Sequence, residues 1–476
     1  MKTFIGLVGE PLNNKMKIKR IKGKLILVGI SSTLVVIPNV SAQVAGLGLP
    51  PAANTARSFQ DASIARDSNL NQPLDLLNDF YPAITVTIAD HDNVRRRPGV
   101  QENDLKIVAQ PSLGYRTNIG RHQFYAAYNG TYTFHDDFTQ EDAESNSLSA
   151  KLGLDLTRRW DLDVFASVGE GFEQRGVSGS REFNQFDANG IDSSPETVDY
   201  LSYGADLIFG RKIGDLKGVL GYEYNQTGFD SDDLFNNTQA SDRDRTSESI
   251  HLDLSWRFAA KTAIFGRIQR TETDYDLAQP NLDSDQTEYL IGLRFNQSEA
   301  FSGVASYGRT ERDFDDESLQ SFDGGTYYVN LDYSINPFST ISFNASRYVE
   351  EPSDENASFY ESELFGVSWR HSLSKRVVFN AYAKQVDDDY EGIDREDQFV
   401  DWGLGLDYTW RSWLTAGVYY GEIDRDSTID SFDYDDQYIG IRLRSDLRPL
   451  LAGRSRSKDR REPFSFGYPK RTNASQ

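Results

Sequence analysis

Ser147-Leu-Ser-Ala-Lys-Leu-Gly-Leu-Asp-Leu-Thr157 decides the fold. In it Leu148, Ala150, Leu152, Leu154 and Leu156 alternate with polar or small residues. A period of two marks a strand with one apolar face, and about eleven residues suffice for a tilted strand to cross a bilayer core. The same pattern recurs at Phe124 to Tyr132, Ile250 to Phe258, Tyr289 to Phe295, Tyr327 to Ile335 and Trp402 to Trp410.

The connectors between these runs alternate in length. Short turns fall near 118–120, 158–159, 210–215, 259–261, 297–300, 336–337, 371–375 and 411–412. Longer Asp-rich stretches lie near 90–103, 135–145, 175–197, 228–246, 274–285, 313–324, 351–357, 387–397 and 424–433. Eight short and nine long connectors predict 18 strands, with 16 to 18 compatible, in an antiparallel up-and-down transmembrane β-barrel over residues 81–445. In outer-membrane barrels the short turns are periplasmic and the long loops extracellular. Trp160, Trp256, Trp369, Trp410 and Trp413 all sit beside expected short turns, as a periplasmic aromatic girdle requires, and only Trp402 lies elsewhere. Pro111 lies in phase with apolar neighbours but lacks a ladder N–H, so a bulge or local fraying is expected there.

Composition agrees with that reading. A net charge of −23 argues against nucleic-acid binding. With 38% hydrophobic residues the chain cannot be a multi-helix membrane protein, yet aromatics reach 12%, as in barrels where only alternate residues face lipid. No cysteine is present, which excludes disulfides and thiolate metal sites.

Residues 1–42 read as a signal peptide. Lys15, Lys17, Lys19, Arg20, Lys22 and Lys24 precede an apolar run from Leu25 to Val40, and Val40-Ser41-Ala42 suits cleavage after Ala42. Either Met1 or Met16 serves as the start. An uncleaved anchor is the competing reading, which Gly29, Ser31, Ser32 and Pro38 disfavour. Removal of this segment leaves 43 basic against 72 acidic residues, a charge of −29. Residues 43–80 read as a flexible periplasmic segment and 446–476 as a basic periplasmic tail.

The opening strand "AITVTIADHDNVRRRPG" with Asp92-Asn93 at its end, the hairpin "YNGTYTFHDD" from Tyr128 and the closing strand "YIGIRLRSDL" from Tyr438 resemble outer-membrane β-barrel porins encoded beside bacterial exopolysaccharide and capsule synthesis genes. The resemblance spans most of residues 81–447. It differs in one respect: many barrels end on an aromatic in the last strand, whereas this chain continues to Gln476. The resemblance implies a role in exopolysaccharide export or surface assembly beside polysaccharide export or synthesis machinery. A general diffusion porin or small-solute channel is the alternative, and a non-conducting surface scaffold a second. The partners expected of such a barrel are outer-membrane lipid, lipopolysaccharide and the barrel assembly machinery.

With the apolar faces turned to lipid, Arg257, Arg267, Arg294, Arg370, Arg442 and Arg444 point into the lumen, with Asp253, Asp332, Asp401 and Asp407. Tyr125, Tyr328, Tyr382 and Tyr419 share that side. The simpler role for this set is a lattice of ion pairs lining the pore; the alternative is a charged and aromatic path for a glycan. The acidic runs Asp387-Asp388-Asp389 and Asp424 to Asp436 read as solvated loops facing lipopolysaccharide, since neither has the spacing of a calcium loop. No nucleophile elbow or phosphate-cradling loop accompanies the five histidines, so no catalytic role and no cofactor is expected.

Overall fold

The structure, a computed structural model, describes residues 80–447 apart from 100, 173–174, 179–196, 211–214, 231–242, 260, 277–281, 296–299 and 352–356. The signal segment with its expected cleavage point, the stretch to residue 79 and the tail from 448 lie outside the described residues.

Eighteen strands follow in chain order: β1 Phe80–His91, β2 Asp104–Ile119, β3 His122–His135, β4 Ala143–Asp155, β5 Trp160–Phe172, β6 Thr197–Phe209, β7 Leu216–Asp230, β8 Arg245–Ala259 and β9 Thr262–Tyr275. The second half is β10 Ser284–Phe295, β11 Phe301–Phe314, β12 Phe322–Asn336, β13 Ser339–Glu350, β14 Phe359–Ser372, β15 Val377–Glu391, β16 Arg395–Arg411, β17 Leu414–Ser427 and β18 Tyr434–Asp446. Each strand pairs antiparallel with its neighbours in sequence, and β1 also pairs with β18 from Ala83 opposite Asp446 to His91 opposite Tyr438. The sheet is thus a closed 18-stranded barrel. Closure matters because an unpaired edge in hydrocarbon would leave a row of backbone groups without partners.

The period of two sorts side chains by face. Leu148, Leu252, Leu254, Ile291, Leu406 and Ile441 are exposed on the outer surface, where a bilayer replaces water as their solvent. The alternate positions turn inward and carry most of the buried charge, including Lys151, Asp163, Asp253, Asp401 and Arg312. Trp160, Trp256, Trp369 and Trp410 stand exposed on the outer face at short-turn ends of their strands.

Two local expectations change. The stretch 387–397 is not a long connector: β15 and β16 run through it and only residues 392–394 join them. Its acidic residues hid the alternation, because both faces carry carboxylates here. Asp387 on the outer side accepts bonds from Gln385 and Gln398, whereas inward Asp388 and Asp397 are buried. Asp436 in the other acidic run is buried as well, so neither run is simply a solvated loop. At Pro111 the β2–β3 ladder skips Gln110 and Pro111 and resumes in the same register. That gap is the local fraying expected there and not a bulge; the missing N–H affects only one partner strand, and β1 stays paired with Pro111 through Ile84. The actual register shifts fall at Arg257/Ala259, Ser334/Asn336 and Thr409/Arg411, all beside short turns.

Candidate functional site in the barrel lumen

From β2 round to β13 the inward residues pair with partners on the neighbouring strand or across one strand. Lys151 Nζ lies 3.0 Å from Asp163, both buried. Asp206 on β6 approaches His251 on β8 at 3.6 Å. Asp253 takes a two-pronged bond from Arg267, at 2.6 Å from Nε and 2.8 Å from Nη2. Such planar pairing suits a guanidinium and a carboxylate. Arg294 stacks its guanidinium 4.0 Å from the centre of the Phe265 ring. Tyr328 donates to Glu288 at 3.3 Å, and Asp332 accepts from Ser342 at 2.5 Å. Tyr125 donates to Gln123 at 2.9 Å with Arg116 over its ring. Arg257 stands apart: it pairs with Asp215 at 3.1 Å at the exposed short-turn end.

The β14 to β18 side repeats the arrangement that joins Asp206 to His251 across Gly221 of β7. Asp407 on β16 accepts from Asn380 at 2.9 Å and from Arg442 on β18 at 3.0 Å, the latter across β17. Inward glycines make this possible. A Cβ on Gly417 would stand 2.2 Å from the Asp407 carboxylate. Further along, the Tyr382 ring lies over Gly403 and the Tyr419 ring over Gly440, so both rings are laid against the wall. Tyr382 donates to Asp401 at 3.0 Å and meets the Tyr438 hydroxyl at 2.8 Å. Arg370 and Arg444 face the lumen from β14 and β18, both exposed, and neither meets a carboxylate among the described residues.

The third part of the site is the mouth at the long-connector end. Asn93 folds its connector with a side-chain turn: its amide donates to Arg97 O and Asp435 O, and its carbonyl accepts from Arg97 N, each at 3.0 Å. Arg96 is thereby held at φ 53°, a left-handed conformation rare for a residue with a side chain. From there it donates to Arg175 O at 3.0 Å and lies 3.7 Å from Asp436, whose carboxylate also meets His91 at 3.0 Å. Arg95 and Arg97 hold Glu102 at 2.6 and 2.9 Å. The bond from Arg95 keeps the Glu102 carboxyl below its ordinary range, against the opposing effect of burial. Arg395 and Arg425 share Asp397 at 2.7 and 2.9 Å, and both guanidiniums stack on Phe432.

Residues 175–178, from the β5–β6 connection, cross this mouth. Arg175 bonds Glu141 of the β3–β4 connection at 3.0 Å, Gly176 accepts from Tyr434 at the start of β18, and Ser178 lies near Asp388 on β15. In the ring, eight strands separate β6 from β15 one way and seven separate β5 from β15 the other. The contacts of this strap therefore run from one side of the barrel to the other. Val177 and Ser178 are buried in it.

The sequence reading named the inward Arg, Asp and Tyr positions singly. It did not bring together Asp407 with Arg442, and it missed Lys151, Asp163, Asp206 and the mouth residues Arg96, Glu102, Arg175 and Asp436. The first three were available from phase alone, since they alternate with the lipid-facing residues of their strands. The bonds of Arg95 and Arg97 to Glu102 are local, whereas the contacts of Asp436 and Tyr434 join residues hundreds of positions apart and have no local signal. Among the described residues no three His, Asp or Glu side chains are grouped as metal ligands.

A family model described as "Putative beta-barrel porin 2" matches residues 80–447. No curated protein matches the chain. Similar solved structures include the siderophore receptor PirA from Acinetobacter baumannii, at 8% identity and a TM-score of 0.42, covering 79% of this chain and 81% of that one. They also include OccK2 (OpdF) from Pseudomonas aeruginosa in complex with glucuronate, at 12% identity and a TM-score of 0.43, covering 78% of this chain and 98% of that one.

Proposed function

Because the chain belongs to the "Putative beta-barrel porin 2" family, we propose that this outer-membrane barrel works as a channel assisting the export or surface assembly of an exopolysaccharide. The observation that carries the glycan reading is the pair Tyr382 and Tyr419, laid along the lumen wall over Gly403 and Gly440 beside Asp401, Asp407 and Arg442. Flat aromatic faces take the apolar faces of sugar rings, and flanking carboxylates and guanidiniums take their hydroxyls. Family membership supports the channel; the early resemblance to barrels encoded beside polysaccharide genes supports the cargo.

Deletion of the gene tests it. Surface or secreted polysaccharide should fall while uptake of small hydrophilic solutes stays unchanged. Normal polysaccharide with slowed solute uptake would instead establish a general diffusion porin, the reading favoured by the polar lumen wall from Lys151 to Arg267.

A further inference from the structure

Among the described residues Arg370 and Arg444 are lumen cations that meet no carboxylate, in a chain that is acidic overall. The pairing places them on one arc. Arg370 lies opposite Asn380, Asn380 opposite Gly405, Asp407 opposite Gly417, and Gly417 opposite Arg442, with Arg444 one inward position further on. Arg442, Asp407 and Arg370 are the charges that act on Arg444, so the groups share one neighbourhood.

The middle of this arc is recessed. Inward positions 405 and 417 are glycines; the Asp407 carboxylate lies over Gly417, whereas a Cβ on Gly405 would meet nothing nearer than 3.6 Å, so open wall is left there between the arginines of β14 and β18. The single carboxylate, Asp407, is already occupied by Asn380 and Arg442. Tyr382 and Tyr419 stand one inward position further toward the mouth and bound the recess with their rings. A stretch of open wall with two exposed guanidiniums at its sides, neither bonded to a carboxylate among the described residues, and aromatic faces at its upper edge suits one kind of guest: a ring with an apolar face and an anionic group.

We propose that the β14 to β18 arc is a binding station for carboxylate-bearing sugars. Arg370 and Arg444 take the carboxylate, and Tyr382 and Tyr419 carry the sugar face. The sugar half rests on the glycan reading above, while the carboxylate half stands on the arginines alone.

The test is equilibrium binding to the folded, detergent-solubilised full chain, with galacturonate, galactose and acetate as probes, folding being checked by heat-modifiable mobility. Galacturonate should bind about tenfold or more tighter than galactose, as charge-assisted bonds to two guanidiniums imply. It should also exceed acetate, which offers no ring. R370Q/R444Q should remove the preference over galactose, and R370K/R444K should restore part of it, since lysine keeps the charge but loses the planar fork. If the double variant does not fold, R444Q alone is read in the same way. Equal binding of galacturonate and galactose, acetate binding as tight as galacturonate, or a preference unaltered in the glutamine variants would overturn the proposal. Because this binding needs no conduction and no cell, normal polysaccharide in a deletion strain would overturn the export reading while leaving the station standing.

Discussion

Asp407 on β16 and Arg442 on β18 meet at 3.0 Å across an intervening strand, through the gap that Gly417 leaves. Gly417→Val should close that gap and force the carboxylate off its partner. Overfilling a packed position typically costs about 1–3 kcal/mol, so the thermal midpoint should fall while Gly417→Ala falls less. Thermal circular dichroism in detergent reads this, and an unchanged valine variant would show that the pair adapts freely.

The lipid-facing and lumen-facing positions make opposite forecasts. Leu252 lies exposed on the outer face in the middle of β8, whereas Asn330 on β12 faces the lumen. Leu252→Arg should impair assembly by roughly 2–4 kcal/mol if it lies at the bilayer midplane; Asn330→Arg should leave the yield of folded barrel near normal. Refolding titrations into lipid vesicles compare the two, and the reverse ranking would mean a register slip of one residue.

What the sequence reveals follows from the range of the interaction that fixes each feature. Strand faces are set by neighbours two residues apart, so Leu148 to Leu156 disclose the barrel and its lumen side at once. Connector alternation places the turns for the same reason. It fails at 387–397, where Asp387, Asp388 and Asp389 look like a solvated loop until Gln398 of the next strand bonds Asp387 and the barrel interior buries Asp388. The strap from Arg175 to Ser178 is invisible for a stronger reason: Gly176 and its partner Tyr434 are 258 positions apart.

The mouth should loosen in acid. Glu102 is held below its ordinary value of 4.5 by the bond from Arg95, and Glu351 is held below the same value by Arg312 although burial pushes it up. A carboxyl depressed in the folded state stabilises above its unfolded value and loses that contribution as pH falls through the folded one. Hydrogen exchange of residues 92–103, corrected for intrinsic rates, should therefore rise between pH 6 and pH 3, and Glu102→Gln should show the loosened behaviour already at pH 6. Equal protection at both pH values in the native chain would refute this.

If the strap sets the narrowest passage at the mouth, cutting its anchors should widen the channel. Tyr434→Phe removes the donor to Gly176, and Arg96→Ala removes the donor to Arg175 O. The double variant should raise single-channel conductance in planar bilayers, with each single change acting less. Conductance equal to that of the native chain would place the constriction elsewhere in the lumen.

Ion selectivity brings the acidic chain and the arginine arc into direct competition. The chain carries −23 overall, and a passage rimmed by one sign gathers counter-ions. At the mouth, however, much of that charge is already spent in pairs: Asp397 with Arg395 and Arg425, Glu102 with Arg95 and Arg97, Glu351 with Arg312. Further down the lumen, Arg370 and Arg444 meet no carboxylate among the described residues. The native channel should therefore be only weakly cation-selective at low salt, and the preference should fade as the screening length drops to about 3 Å near 1 M. R370Q/R444Q should shift the reversal potential under a salt gradient further toward cations. A shift toward anions, or none, would mean that these guanidiniums do not face the conducting path.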